Sequence, residues 1–237
     1  RGWPGARGDC MSMWRVARLV AGKDLRVELR SRVVSNQVLP FAALVMVMFA
    51  FALDNDTVLN RVAPGLVWLA ALFSLLVLVQ RAFAIETADG ALDALTVAGV
   101  RPGGIFLGKA LALAAQLAVL ELVVQVLAVV LYRAHVGSSG AVLLVCTFLA
   151  AVTSLAFVGT LYGGLSAGAK GRETLLPLLM LPVVAPVLIG ATRATEAALG
   201  TNGATSSEGW PWVGLLALFA AVFGIGGTYA FGSLIDA

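Results

Sequence analysis

The chain has 237 residues, 60% of them hydrophobic and only 12% charged, with a mean hydropathy of +0.95. Soluble globular domains carry about a quarter charged residues, so this composition excludes them and reads as an integral membrane protein. In such a chain the formal charge of +3 and the pI of about 9.2 encode orientation, not nucleic-acid binding.

The apolar residues come in blocks of roughly 18 to 28, enough to cross a hydrocarbon core of about 30 Å at 1.5 Å per residue. They are not the alternating ten-residue strands of an outer-membrane barrel. The expected fold class is therefore all-α, with six transmembrane helices behind an N-terminal amphipathic helix.

The first ten residues, RGWPGARGDC, lack Met and the apolar core of a signal peptide. Residues 1–13 read as a disordered tail or an artefact, with Met11 or Met13 as a start, and 14–237 as one permease domain. From 14 to 32 the wheel gathers Arg15, Arg18, Lys23, Arg26 and Arg30 on one side and Trp14, Ala17, Val20 and Ala21 on the other. This helix is too polar to span; it is expected to lie in the headgroup layer, with Lys23, Arg26, Arg30 and Arg32 toward anionic lipid. A solvated cytoplasmic helix is the other reading. Asp24 and Glu28 spoil its apolar face and imply packing partly against protein.

The spans are expected at 36–53, 62–84, 105–131, 141–165, 174–192 and 212–235. Between the second and third lies the longest charged break, residues 81–109, RAFAIETADGALDALTVAGVRPGGIFLGK. Glu86, Asp89 and Asp93 recur there at helical spacing, with Ala88, Leu92 and Leu95 on another side, so a short amphipathic helix is expected over 85–98. Gly99, Pro102, Gly103 and Gly104 end it.

Of the sixteen lysines and arginines, all but Arg61, Arg133 and Arg193 fall in the N-terminal segment, the central break or the Lys170 loop. The positive-inside rule makes those three segments, and both termini, cytoplasmic.

Several patterns resemble catalytic or ligand sites. Gly103, Gly108 and Lys109 fit a phosphate-binding loop until Ala110 stands where Ser or Thr should hold magnesium, and no strand precedes them. Lys109 then reads as an interface anchor, and any ATP must be hydrolysed by another chain. His135, the one histidine, is a loop residue that could ligate haem iron or simply be solvated. Cys10 and Cys146 have no metal-ligand spacing. Glu121, with Gln125 one turn away, is an intramembrane carboxylate that either lines a path or contact, or makes a structural hydrogen bond. The glycines of the fourth and sixth spans read as close-packing faces. Pro177, Pro182 and Pro186 are expected to interrupt the fifth helix, and Trp210 and Trp212 to belong to an aromatic belt. No metalloprotease pair or nucleophile elbow occurs, so an enzyme is not expected.

KDLRVELRSR at 23–32, RVAPGLVWLAALFS at 61–74, GALDAL at 90–95 and LPVVAPVLIGAT at 181–192 together resemble the CcmB family. That family is the membrane subunit of the ABC-type complex of bacterial cytochrome c maturation. The resemblance implies an exporter-permease fold in the inner membrane, with Glu86, Asp89, Gly90, Leu92, Asp93 and Leu95 forming a helix that couples to an ATPase subunit (CcmA-like). Arg61, Pro64, Gly65, Trp68, Pro182 and Pro186 would carry the membrane-embedded signature. It further implies a CcmC-like haem-handling subunit, a small CcmD-like subunit and a CcmE-like haem chaperone as partners. Haem is then a substrate of the complex, not a cofactor assigned to this chain, and ATP acts through the partner. The rival readings are an exporter permease for a lipid or drug, and a self-contained secondary transporter or channel using Glu121.

Overall fold

Long apolar stretches without internal breaks have one way to satisfy their backbone in lipid, which is to form helices. The computed structural model describes residues 12–53, 55–88, 101–132, 137–167 and 172–235, and every element in it is helical. Helix α1 is Met13–Ser31. A π-helical turn, Val34–Val38, leads into α2, Leu39–Ala52. Then come α3, Asp56–Ala88, α4, Pro102–Tyr132, α5, Ser138–Ala167, and α6, Arg172–Leu199. A short turn, Thr201–Gly203, precedes α7, Ser206–Ile235. Among the described residues, six stretches are long and apolar enough to span: Val34–Ala52, Thr57–Ala84, Pro102–Leu131, Ser138–Ser166, Leu176–Leu199 and Ser206–Gly232. Outward residues such as Phe41, Leu44, Met48, Leu218, Val222 and Ile225 are exposed and apolar, as lipid contact requires.

The helices run past the expected loop boundaries. Helix α3 begins at Asp56, so Arg61 is helical; Asn55 caps the helix, its Oδ1 accepting from the N–H groups of Thr57 at 2.9 Å and Val58 at 3.3 Å. Helix α6 continues through Arg193 to Leu199, where Ala194, Glu196, Ala197, Ala198 and Leu199 are strong helix formers. Pro177, Pro182 and Pro186 stand inside α6 without ending it, contrary to expectation.

Glycines set the packing distances. Phe106 of α4 lies against Gly227, Phe157 of α5 against Gly224 of α7, and Phe231 of α7 against Gly164 of α5. The Phe106 ring stands 5.9 Å from Phe157 and 5.5 Å from Phe231, so one aromatic cluster joins three helices. Ser154 Oγ also donates across the interface to the Leu216 carbonyl at 2.7 Å.

Helix α1 buries Val16, Ala17, Val20 and Ala21, while Trp14 is exposed. The wheel therefore placed the apolar face correctly except for Trp14. That face lies on Gly104 and Gly108 of α4, while Gly103 meets the Thr228 carbonyl of α7 and Met13: a Cβ built at Gly108 would stand 2.6 Å from the Val20 Cβ and 2.7 Å from the Ala17 carbonyl oxygen. Gly108, which completed the imitation of a phosphate loop, is with Gly104 the seat of α1.

Candidate functional site

Where α1 crosses α3 and α4, four charged side chains converge. Lys109 on α4 has a side chain only 2% exposed, and its Nζ donates to Asp24 Oδ2 of α1 at 3.4 Å. The same ammonium sits 4.7 Å from the centroid of the Phe83 ring of α3. Lys109 is thus buried under α1, not a surface anchor. Its burial follows from the glycine seat, which lets the α1 backbone approach closely enough to cover it.

One turn along α1, Glu28 does two things. Its Oε1 accepts from the Val34 N–H at 2.6 Å, which starts the π-helical turn, and its Oε2 lies 3.9 Å from Arg81 Nε of α3. Arg32 ends α1 in the left-handed region at φ 54° and donates its N–H to the Glu28 carbonyl. Glu28 therefore holds the α1–α2 corner and the end of α3 together. Lys23, Asp24, Glu28, Arg81, Lys109 and Gln116 all line one cavity of about 60 Å³. Beside it, a wider groove of about 520 Å³ is lined in part by Gln37, Gln80, Arg81, Phe83 and Ser166.

Helices α3 and α4 flank the stretch expected to couple. Glu86 falls in the last turn of α3, which continues unbroken to Ala88. Asp89, Gly90, Leu92, Asp93 and Leu95 lie outside the described residues, as do most of 85–98 and His135. The basic residues Lys23, Arg26, Arg30 and Arg32 are exposed along α1.

At the opposite end of the bundle the signature residues of α3 meet α6. Trp68 is 1% exposed, and its Nε1–H donates to Thr195 Oγ1 at 2.9 Å; Thr195 in turn donates to the Ala191 carbonyl at 2.8 Å. Gly65 admits Thr192 alongside. A groove of about 380 Å³ runs past Gly65, Trp68, Leu188, Thr192, Arg193 and Glu196, with Arg193 and Glu196 paired at 3.0 Å on its rim. Pro64 is buried and lines a separate cavity of about 20 Å³ with Gln125 and Thr195. Arg61 is exposed, as is Pro182; Pro186 is half-buried, and neither proline lines the groove. The structure thus joins Pro64, Gly65 and Trp68 to α6 through Thr192 and Thr195, not through the prolines. Thr195 carries no sequence signal beyond being a hydroxyl in an apolar helix.

Glu121 is 1% exposed and faces the interior of this chain. Among the described residues, neither of its carboxylate oxygens has a hydrogen-bond partner, nor does Nε2 of Gln125. Among the described residues no three His, Cys, Asp or Glu side chains converge as a metal site would require.

A family model described as CcmB protein matches residues 15–236. Heme exporter protein B of Rhodobacter capsulatus is 32% identical over 186 residues, covering 77% of this chain and 84% of its own. The protein of the same name from Haemophilus influenzae is 30% identical over 201 residues, 84% of this chain and 86% of its own. That of Escherichia coli K12 is 31% identical over 190 residues, 79% of this chain and 83% of its own.

Proposed function

The chain belongs to the CcmB protein family, and on that premise we propose that it is the membrane subunit of a haem-exporting complex serving cytochrome c maturation. It sits in the bacterial inner membrane with both termini cytoplasmic. It has no catalytic role of its own; an ATPase on a separate CcmA-like chain docks on residues 85–98, and CcmC-like, CcmD-like and CcmE-like proteins complete the assembly. Haem is the substrate of that assembly.

The observation that carries the coupling is the charged junction of Asp24 with Lys109 and Glu28 with Arg81. It ties α1 to the two helices whose ends bracket residues 89–100. A push on that stretch then moves α1, α3 and α4 as one body, since packed helices shift as rigid units. The motion reaches the far end along α3, where Trp68 hydrogen-bonds α6. Glu86, Asp89 and Asp93 supply acidic contacts to the ATPase, and Leu92 and Leu95 the apolar ones.

Deleting the gene and staining for covalently bound haem tests the reading. Mature c-type cytochromes are expected to disappear and to return when the gene is supplied in trans; undiminished cytochromes in the deletion strain would refute it.

A further inference from the structure

The bundle interior holds two charged residues among those described, Lys109 and Glu121. Lys109 is met by Asp24 and Phe83. Glu121 follows it on the same helix by twelve residues, roughly 18 Å at 1.5 Å each; among the described residues neither carboxylate oxygen has a partner in hydrogen-bonding geometry, and Gln125 is the polar side chain beside it. The other buried polar side chains do not turn toward it. Ser74, Thr147, Thr160 and Thr195 each donate to a carbonyl of their own helix, Ser154 to the Leu216 carbonyl, and Ser166 to Gly163. Gln116, on the near side, lines the cavity of the α1 junction.

An ionised carboxylate with no partner is not sustained in such surroundings, because taking it out of water costs several kcal/mol. A neutral carboxylic acid is. One turn beyond Glu121, Nε2 of Gln125 also has no hydrogen-bond partner among the described residues, and Gln125 borders the 20 Å³ cavity that Pro64 and Thr195 help to line. A space of that size admits one water, and Gln125 and Thr195 give it polar neighbours.

We propose that Glu121, with Gln125 and the adjoining water-sized cavity, is a proton-binding site inside the membrane. In this packing Glu121 holds the proton. The O–H bond breaks only when water reaches the acid itself, the proton passing through that water to bulk solvent while the carboxylate left behind is hydrated. The site does not depend on what the complex carries, so its failure leaves the haem-export reading standing.

The test uses the purified full-length chain in lipid nanodiscs and in its Glu121→Gln variant. An infrared difference spectrum between the two is expected to show a protonated-carboxyl C=O stretch in the wild type alone, and that band is expected to shift on exchange into deuterated water. Dicyclohexylcarbodiimide, which adds to protonated carboxyls in apolar surroundings, is expected to label Glu121 and to lose that label in Glu121→Gln. Because Gln mimics the neutral acid, the variant keeps the wild-type melting temperature. Absence of the carboxyl band at neutral pH would overturn the proposal. A band that sodium but not choline chloride removes would overturn it too, by assigning the site to a metal cation.

Discussion

Asp24→Ala is expected to destabilise the fold by about 1.5 to 3 kcal/mol, because it withdraws one of the partners of an ammonium that is almost wholly buried. Lys109→Met is expected to cost about 1 kcal/mol or less. The asymmetry follows from the two partners' surroundings. Asp24 is 18% exposed and has Lys23 at 3.1 Å, so it keeps a counter-charge and water when Lys109 is lost. The Met side chain meanwhile fills the space under Phe83, and replacing a buried ion pair by apolar groups is often neutral. Adding Lys109→Met to Asp24→Ala should therefore recover most of the loss. Thermal unfolding in detergent, with protease sensitivity of α1 as a second readout, reads this directly. Equal losses for the two single variants, or additive losses in the double, would mean that the pair does not couple α1 to α4.

Trp68→Ala is expected to cost about 3 to 5 kcal/mol, the range for truncating a fully buried aromatic. The loss should spread beyond α3, since the indole fills the α3–α6 interface and hydrogen-bonds Thr195. Thr195→Val separates the polar part from the packing. It leaves the indole N–H buried without its acceptor, at about 1 to 3 kcal/mol, with little change in volume. Melting temperatures of the three proteins should rank wild type, Thr195→Val, Trp68→Ala in descending order. If Thr195→Val melts like the wild type, the hydrogen bond across the interface contributes nothing.

Much of this architecture is written in hydropathy. The six spans are legible because an apolar run of this length has only the helix available to it in lipid. Their ends are less so, since Arg61 and Arg193 look like loop residues in a charge count yet lie in helical turns built by good helix formers and a well-placed Asn55 cap. Prolines read as breaks because each removes one backbone donor, but α6 carries three and stays helical within the packed bundle.

The charged junction was only half visible. Asp24 and Glu28 stand out as acids on an otherwise apolar face, which correctly implies protein beneath them. Their partners were beyond reach: Lys109 is 85 residues from Asp24 in sequence, and nothing in a helical period links the two. The glycines before Lys109 were misdirecting for a physical reason. A phosphate loop and a helix seat both need backbone without Cβ, and only the missing strand and the Ala110 tell them apart. Trp68 is prominent in the sequence, whereas Thr195, which receives its N–H, is not. Glu121 is conspicuous in the sequence; its isolation appears only when the helices around it are packed.

The coupling claim rests on residues 85–98, and Asp93→Lys addresses it most directly. The measurement is haem staining of c-type cytochromes in cells whose only copy of the gene carries Asp93→Lys, alongside capture of the ATPase on the tagged variant. The variant is expected to reach the membrane in normal amount, to fail to retain the ATPase and to leave the cytochromes unstained. Wild-type staining with the ATPase still bound would contradict it.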